Sequence, residues 1–516
     1  AMKPCYLTFF PALLLGVSVV RAQTSADVLR FSQYNYGFGT ARSAAMGGAF
    51  ASLGADMSAA ALNPAGFGMY LGSEFAVSPS LTIHSVKSSF SGDNFSSSVS
   101  DDRTVFALNT VGAAMNVYRG TGALTGVTAA VTYTKLADFN SRAGTYGRSS
   151  WSMADIFVDR LNGYSPAIPP SALEAPSDDV YRAFRNYPTG LWNSIMAYQS
   201  YLLDCNGSQY TLEGLLSPGA VSRPDLRHSA RGSIGEYGFS GGFNFSNLIY
   251  FGLSLGVQDI YYRDRTDYSE TYTDNSGSLT SFNLGQQLRM TASAVNVKFG
   301  LIAMPVEGLR IGAAFHTPTY INVSEEYSAD MVTHIAGEQP GGSDTPYLLN
   351  DYKMRTPMRL ILGASYQFGA TGILSVDYER VWYDKMKMKS SEDRLLEGDI
   401  DREVSDRYKA ADNFRIGAEA VIYPQFYLRA GYAFYGSMFK HKETSDQGMT
   451  QNISGGIGYR TGFFFADLAY IYMRSDYQPY RFYDFTSPID GAHIATGDVN
   501  TRSTRHNITL TMGVRF

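Results

Sequence analysis

The sequence predicts an all-β chain: a 14-stranded antiparallel transmembrane β-barrel with an N-terminal small-residue hatch in the lumen and a helical extracellular loop. Three observations carry this expectation. Apolar and polar residues alternate with period two over many segments. The connections between those segments are short and long in turn. Aromatics and glycines are abundant, with 37 Tyr, 31 Phe and 51 Gly against only 17% charged residues, and outer-membrane barrels use aromatics for interface girdles and glycines for turns and bends.

Taken in chain order, residues 1–22 read as a signal peptide. Lys3 supplies a positive start, Tyr6–Val20 is a mostly apolar run, and Val20-Arg21-Ala22 is an imperfect small-residue cleavage site before Gln23. A membrane anchor is the alternative, but the apolar run is shorter than the roughly 20 residues that a spanning helix needs. Nothing after residue 23 contains the about 18 consecutive apolar residues of a transmembrane helix. The formal net charge of −5 leaves no electrostatic footprint for nucleic acid. Of the 2 cysteines, Cys5 lies in the signal, so Cys205 stands alone and no intrachain disulfide is expected.

Residues 23–71 form the expected hatch. Gly39–Tyr70, GTARSAAMGGAFASLGADMSAAALNPAGFGMY, is almost free of large side chains until it ends. Small residues permit close packing of backbone on backbone, and glycine reaches turn conformations that other residues avoid.

Residues 72–516 form the barrel. Asn507–Phe516 alternates without a fault: Ile508, Leu510, Met512, Val514 and Phe516 oppose Asn507, Thr509, Thr511, Gly513 and Arg515. The same rhythm places strands at about 72–86, 103–118, 122–138, 232–246, 248–266, 280–304, 307–324, 353–369, 371–388, 410–423, 425–439, 449–460, 462–475 and 502–516. Short turns fall near 119–122, 246–248, 304–308, 369–372, 423–425 and 460–462; the intervening loops are longer. A soluble sandwich explains neither this alternation of loop length nor the terminal Phe516. An even strand count puts both barrel ends in the periplasm. The inward set includes Arg359, Asp377, Glu379, Arg415, Glu419, Arg429 and Asp467. A charge on the lipid face costs about 2–4 kcal/mol at the midplane, so these residues point inward, either as a solvated, salt-bridged lumen or as a substrate relay.

The insertion at 139–231 switches to helical spacing at Met153, Ile156, Phe157 and Leu161 and again at Leu191, Ile195 and Leu202, with Pro169, Pro170 and Pro188 as breaks. A loop of this length is usually functional. It reads as an extracellular cap whose helices pack on each other, or as an apolar mouth for a hydrophobic ligand built from Phe157, Leu161, Leu191, Trp192, Ile195 and Met196.

Other chemistry is weak. Gly238-Phe239-Ser240-Gly241-Gly242 matches G-x-S-x-G but runs into strand residues Phe243–Phe245 rather than a strand–turn–helix elbow. The 7 histidines are scattered without zinc spacing, and the glycines after Gly39 lack a phosphate-loop lysine. No cofactor, metal or enzymatic activity is expected.

The hatch resembles the N-terminal region of the FadL-type outer-membrane family of long-chain fatty-acid and hydrophobic-compound transporters. The shared elements are the small-residue run, Asp56, and Asn63-Pro64-Ala65 followed by Gly66 before the first strand; Gly39-Thr40-Ala41-Arg42 resembles Bacteroidetes members. The resemblance implies an outer-membrane channel for passive uptake of hydrophobic molecules such as long-chain fatty acids. In that family a ligand is caught by extracellular loops and leaves sideways past the hatch. The partners it implies are a hydrophobic small molecule, lipid or detergent inside and outer-membrane lipid outside, around a monomer for which a protein partner stays open. One branch resembles a non-transporting scaffold of the type IX secretion pathway, although there Lys follows the tripeptide where this chain has Gly66. A haem receptor is the remaining alternative, and no ligand motif supports it.

Overall fold

The computed structural model describes residues 25–34, 39–207, 209–390, 394–441, 447–476 and 479–516. The expected signal peptide lies outside the described residues. Among the described residues the wall is a closed antiparallel barrel of 14 strands. In order these are β1 (Glu74–Gly92), β2 (Phe95–Arg119), β3 (Leu124–Asp138, continuing as Ser141–Tyr146), β4 (Val221–Phe245), β5 (Ile249–Thr273) and β6 (Leu279–Val306). They continue with β7 (Leu309–His316 and Tyr320–Ile335), β8 (Leu348–Arg355 and Arg359–Phe368), β9 (Gly372–Trp382 and Lys387–Ser390) and β10 (Ala410–Tyr423). The last four are β11 (Phe426–Tyr435), β12 (Thr450–Arg460), β13 (Phe464–Asp476) and β14 (Asp498–Arg515). β14 pairs with β1 from Glu74↔Arg515 to Ser91↔Asp498. This pairing of the last strand with the first closes the sheet, which is what lets it cross a membrane.

The period-two pattern sorts the side chains as expected. On β14, Thr509 and Thr511 are buried inside, while Ile508, Leu510, Met512 and Val514 are 36–42% exposed on the outside. The short turns sit at one end: Ser246 and Asn247 both have positive φ (53° and 56°), the two-residue geometry that matches strand twist.

At the other end several strands run beyond their expected limits. Residues 87–102, expected as a loop, continue as a ladder between β1 and β2 to a tight turn at Asp93-Asn94. Ser141–Tyr146 pairs with Ala230–Asp225, so the irregular and helical part of the insertion is shorter than 139–231. Past the bilayer the outer face meets water, and the inner face mixes serines with apolar residues that pack under the insertion, such as Val86 and Phe90, so the regular alternation of the belt does not continue into these extensions.

The helices are α1 (Ser25–Ser32) and α2 (Ala41–Ala45) before the barrel, α3 (Met153–Asn162), α4 (Pro170–Leu173), α5 (Arg182–Asn186) and α6 (Trp192–Gln199) in the insertion, and α7 (Arg394–Arg407). α3 begins with a capping box between Ser152 and Asp155. Buried Glu270 of β5 accepts from Ser152 Oγ (2.6 Å) and Met153 N (2.8 Å), fixing the helix to the wall. The insertion packs on Val86, Phe90, Tyr268, Phe282, Met331 and Phe482, a hydrophobic core across one end of the barrel.

Candidate functional site

The barrel interior is filled from both ends, and the N-terminal segment occupies its middle and lower parts. Asn63 caps the 3-10 turn Pro64–Met69: its Oδ1 accepts from Ala65 N (3.1 Å). Its Nδ2 donates to Ala51 O at 2.6 Å, and to Leu301 O (3.2 Å) and Ala313 O (3.4 Å) on β6 and β7. Pro64 fits the first helical position because its absent N–H is not needed there. One asparagine thus ties the turn, the preceding loop and two wall strands together.

The turn reaches the wall because the wall has glycine there. A Cβ on Gly300 would lie 2.0 Å from Asn63 Oδ1 and 2.6 Å from Ala65 N, and one on Gly252 would lie 2.1 Å from Ala65 N. Backbone therefore abuts backbone. Gly242, inside the G-x-S-x-G match, meets Phe67 and Gly68 in the same way, and Ser240 lies in β4 bonded to Ser254 rather than on an elbow.

The seven inward charges named from the sequence all lie buried beneath this segment. Arg42 of α2 makes a bidentate pair with Glu419, both distances 3.0 Å. Glu419 also accepts from Arg429 Nε (2.6 Å), whose Nη1 donates to Asp467 (2.6 Å). Asp377 Oδ2 accepts from Phe50 N (2.8 Å) and Ala51 N (2.9 Å). Arg359 donates to Ser32 O (2.6 Å) and, like Arg415, pairs with Glu379. They form a salt-bridged network that clamps the N-terminal segment through Arg359, Asp377 and Glu419. Sequence reasoning did not single out Lys298, which pairs with Glu236 and donates to Ala60 O (3.3 Å), or His316, which meets Leu62 O at 2.9 Å.

Above the clamp, α1 lies in the lumen with Val28, Leu29 and Phe31 buried against wall residues such as Ile321, Met354 and Tyr408. A cavity of about 150 Å³ remains beside it, lined by Tyr34, Phe139, Tyr262, Met438, Phe439 and Met473 with Arg30, His84, Asp138, His228 and Arg505. A smaller one of about 60 Å³ shares Tyr34 and Tyr435 with it and continues down to Gly39, Ser58 and Leu62.

The larger cavity touches a break in the wall. β2 and β3 pair from Arg119↔Gly126 only to Thr110↔Thr134. Past that point β2 keeps its ladder with β1, and β3 keeps its ladder with β4 through a bulge at Lys135–Ala137. β3 turns inward there: Asn140 O meets the inward-facing His84 at 2.8 Å, and Ala143 packs with Val86 and Phe90 of β1. Side chains span the seam, with Arg103 donating to Ala230 O (2.9 Å) and Ser97 to Tyr146 O (2.5 Å). Phe106 and Leu108 of the unpaired stretch are exposed on the lipid side.

Phe157, Leu161, Leu191, Trp192, Ile195 and Met196 are brought together, but they are 0–7% exposed within the core of the cap and do not line an open mouth. Burial in one another's company is the lower-energy use of six large apolar side chains.

No protein-family model matches the sequence, and no curated protein matches it. Solved structures do. A Pseudomonas aeruginosa FadL homologue superposes with a TM-score of 0.50 at 10% identity, covering 93% of this chain and 98% of that one. The P. putida toluene transporter TodX gives a TM-score of 0.50 at 12% identity, covering 93% and 99%. Both are described as transport proteins or their homologues rather than enzymes. With its closed wall and outward apolar belt, the chain has the FadL-type fold, that of a membrane-spanning β-barrel.

Proposed function

We propose that the protein is a passive outer-membrane channel for hydrophobic molecules, in which the ligand occupies the cavity beside α1 and leaves sideways between β2 and β3. The single observation that carries this reading is the end of the β2–β3 ladder at Thr110↔Thr134, beyond which Asp138 and Phe139 line the cavity while Phe106 of β2 is exposed on the lipid side. A route straight down meets the N-terminal segment seated on Gly252 and Gly300, where there is no space for even one methyl group. The seam needs only side chains to move. In this reading Asn63, Pro64, Ala65 and Gly66 form the pivot of a hatch, and the insertion admits ligand when its core parts.

Cavity size bears on the cargo. About 150 Å³ is the volume that holds a single aromatic ring. A long acyl chain also needs the space now filled by Val28, Leu29 and Phe31, so fatty-acid passage requires α1 to shift. The fold shared with a toluene transporter is in keeping with small apolar cargo. Uptake of a panel running from monoaromatics to long-chain fatty acids, compared between cells with and without the protein, tests the proposal. Faster uptake of at least one class is expected; unchanged uptake of every member overturns it.

A further inference from the structure

Outside the lumen, the outer face of β3–β6 carries a cluster of arginines. Arg231, Arg263 and Arg289 are exposed and stand directly opposite one another on adjacent strands, paired Arg231↔Arg263 and Arg263↔Arg289. The next row outward holds Arg142 and Arg265 on either side of Ser229. Strands lie about 4.8 Å apart and successive same-face residues about 6.8 Å apart, so these five guanidinium groups share one small patch, and Arg103 of β2 reaches its edge at Ser229 Oγ (3.4 Å). Like charges directly opposite destabilise a strand pair.

Carboxylates answer only part of this charge. Arg265 pairs with Asp267 (2.9 Å) and Arg289 with Glu326 (3.5 Å). Among the described residues Arg142, Arg231 and Arg263 make no ion pair with a carboxylate; Arg263 donates to Gln287 Oε1 (3.4 Å).

The patch has a definite height. The outward residues of β5 run Ile249, Phe251, Leu253, Leu255 and Val257, all exposed and apolar, then Asp259, Tyr261 and Arg263. With strands tilted by about 40°, Arg263 stands roughly 35 Å above Ile249, against an apolar band about 25 Å tall. That places the arginines at headgroup level, with Tyr261 two residues below as an interfacial aromatic.

We propose that this patch is a binding site for a phosphorylated lipid of the outer leaflet, whose phosphate sits among Arg142, Arg231 and Arg263 while its acyl chains lie on the apolar face of β4–β6. Arginine matches phosphate oxygens in paired, charge-assisted hydrogen bonds. Continuity with the apolar belt selects a lipid over a free anion, because only a lipid covers both surfaces at once. The site lies outside the lumen and its test reads lipid binding alone, so it stands or falls without any measurement of transport.

The test is a titration of the purified full-length protein with diphosphoryl lipid A, followed by native mass spectrometry. Each arginine removed is expected to weaken binding about fivefold, and R142Q/R231Q/R263Q on the order of a hundredfold. K387Q/K389Q, which removes outward lysines of β9, is expected to leave binding unchanged. If the triple variant fails to assemble, as judged by its heat-dependent gel shift, Arg231→Gln alone carries the test with its fivefold loss. Full affinity in the arginine variant overturns the proposal, as does equal binding of dephosphorylated lipid A. Displacement of the lipid by an equal concentration of inorganic phosphate assigns the patch to a free anion and also overturns it.

Discussion

The N-terminal segment meets two different walls. Against β5–β13 it is held by backbone contact at Gly252, Gly300 and Gly431, by Asp377 on two amides, and by the Arg42–Glu419–Arg429–Asp467 chain. Against β1–β3 most of the contact is apolar: Met57, Ala59, Ala60, Phe67 and Tyr70 pack on Ala76, Ala114 and Ala130, and Tyr70 adds hydrogen bonds, from its hydroxyl to Glu74 (3.0 Å) and from Asn116 Nδ2 to its carbonyl (3.3 Å). The wall differs in the same sense. β4 and β5 pair without interruption from Phe245↔Ile249 to Val221↔Thr273, whereas β2, of the same 25-residue length as each of them, loses β3 at Thr110. Buried ion pairs and backbone contact fix one side, and the other, held mostly by non-directional packing, is freer to give. Within the proposed function, the fixed side seats the hatch and the yielding side provides the exit.

Breaking the fixed side is expected to have the largest effect. Arg42→Ala leaves Glu419 buried with Arg429 alone, and removing one member of a buried pair costs about 3–5 kcal/mol. Protease accessibility of the N-terminal segment in the assembled barrel should rise sharply, with the barrel still resistant to denaturation in detergent. If the segment stays protected, the clamp is not what holds it.

A single methyl group compares the two sides more directly. Gly300→Ala drives a Cβ to 2.0 Å from Asn63 Oδ1 and 2.6 Å from Ala65 N, whereas a Cβ on Gly112 of β2 meets Thr132 Cγ2 at 2.8 Å, the flexible end of Met57 (Sδ) at 3.1 Å and Val131 O at 3.2 Å. Overpacking costs about 1–3 kcal/mol, and the Gly300 variant should sit at or above the top of that range. Gly112→Ala should cost less, because its backbone neighbour lies at 3.2 Å, against 2.6 Å for Ala65 N at Gly300, and the methionine end can move. Thermal unfolding of the two variants checks this; equal losses would mean that the two walls are equally stiff. Asn63→Ala should follow with about 1–2 kcal/mol, the cost of a lost helix cap, disturbing passage more than assembly. If that variant barrel fails to assemble while lumen-charge variants assemble normally, Asn63 is structural and its role in passage is wrong.

How much of this was legible in the sequence differs between the same two sides. The wall was readable because lipid enforces alternation: Ile508 to Val514 on β14 can be sorted by eye. That Arg359, Asp377 and Glu419 point inward followed from the same rule. Their partners did not follow, because Arg42 and Glu419 are 377 positions apart and nothing local to either names the other. The strand extensions left no mark either. Ser88, Ser89, Ser91 and Ser96–Ser98 are polar on both faces, since both faces are beyond the bilayer. α1 was hidden by its brevity: SADVLRFS buries every residue, including the Asp27–Arg30 pair, and carries only a few apolar side chains. The seam is the least visible feature. It depends on a bulge at Lys135–Ala137 and a bend at Phe139–Asn140, and TKLADFN carries no glycine or proline to signal either.

The smallest expected effect on stability falls at the seam and separates it from the rest of the wall. Arg103 bridges the unpaired stretch of β2 to β4 through Ala230 O (2.9 Å), with Ser229 Oγ (3.4 Å) and Ser141 O (3.5 Å) close by. Arg103→Gln shortens the reach and removes those bonds, at about 1 kcal/mol for a hydrogen bond of this kind. An equal loss within the β4–β5 ladder should change nothing but stability, because twenty or so neighbouring backbone pairs hold the strands together. At the seam no backbone pair takes over, so the same small loss should raise the rate of ligand passage while unfolding shifts only slightly. Measuring uptake and thermal unfolding on the same preparation distinguishes the cases. A variant slower in uptake makes Arg103 part of the path, and one unchanged in uptake places the exit elsewhere than between β2 and β3.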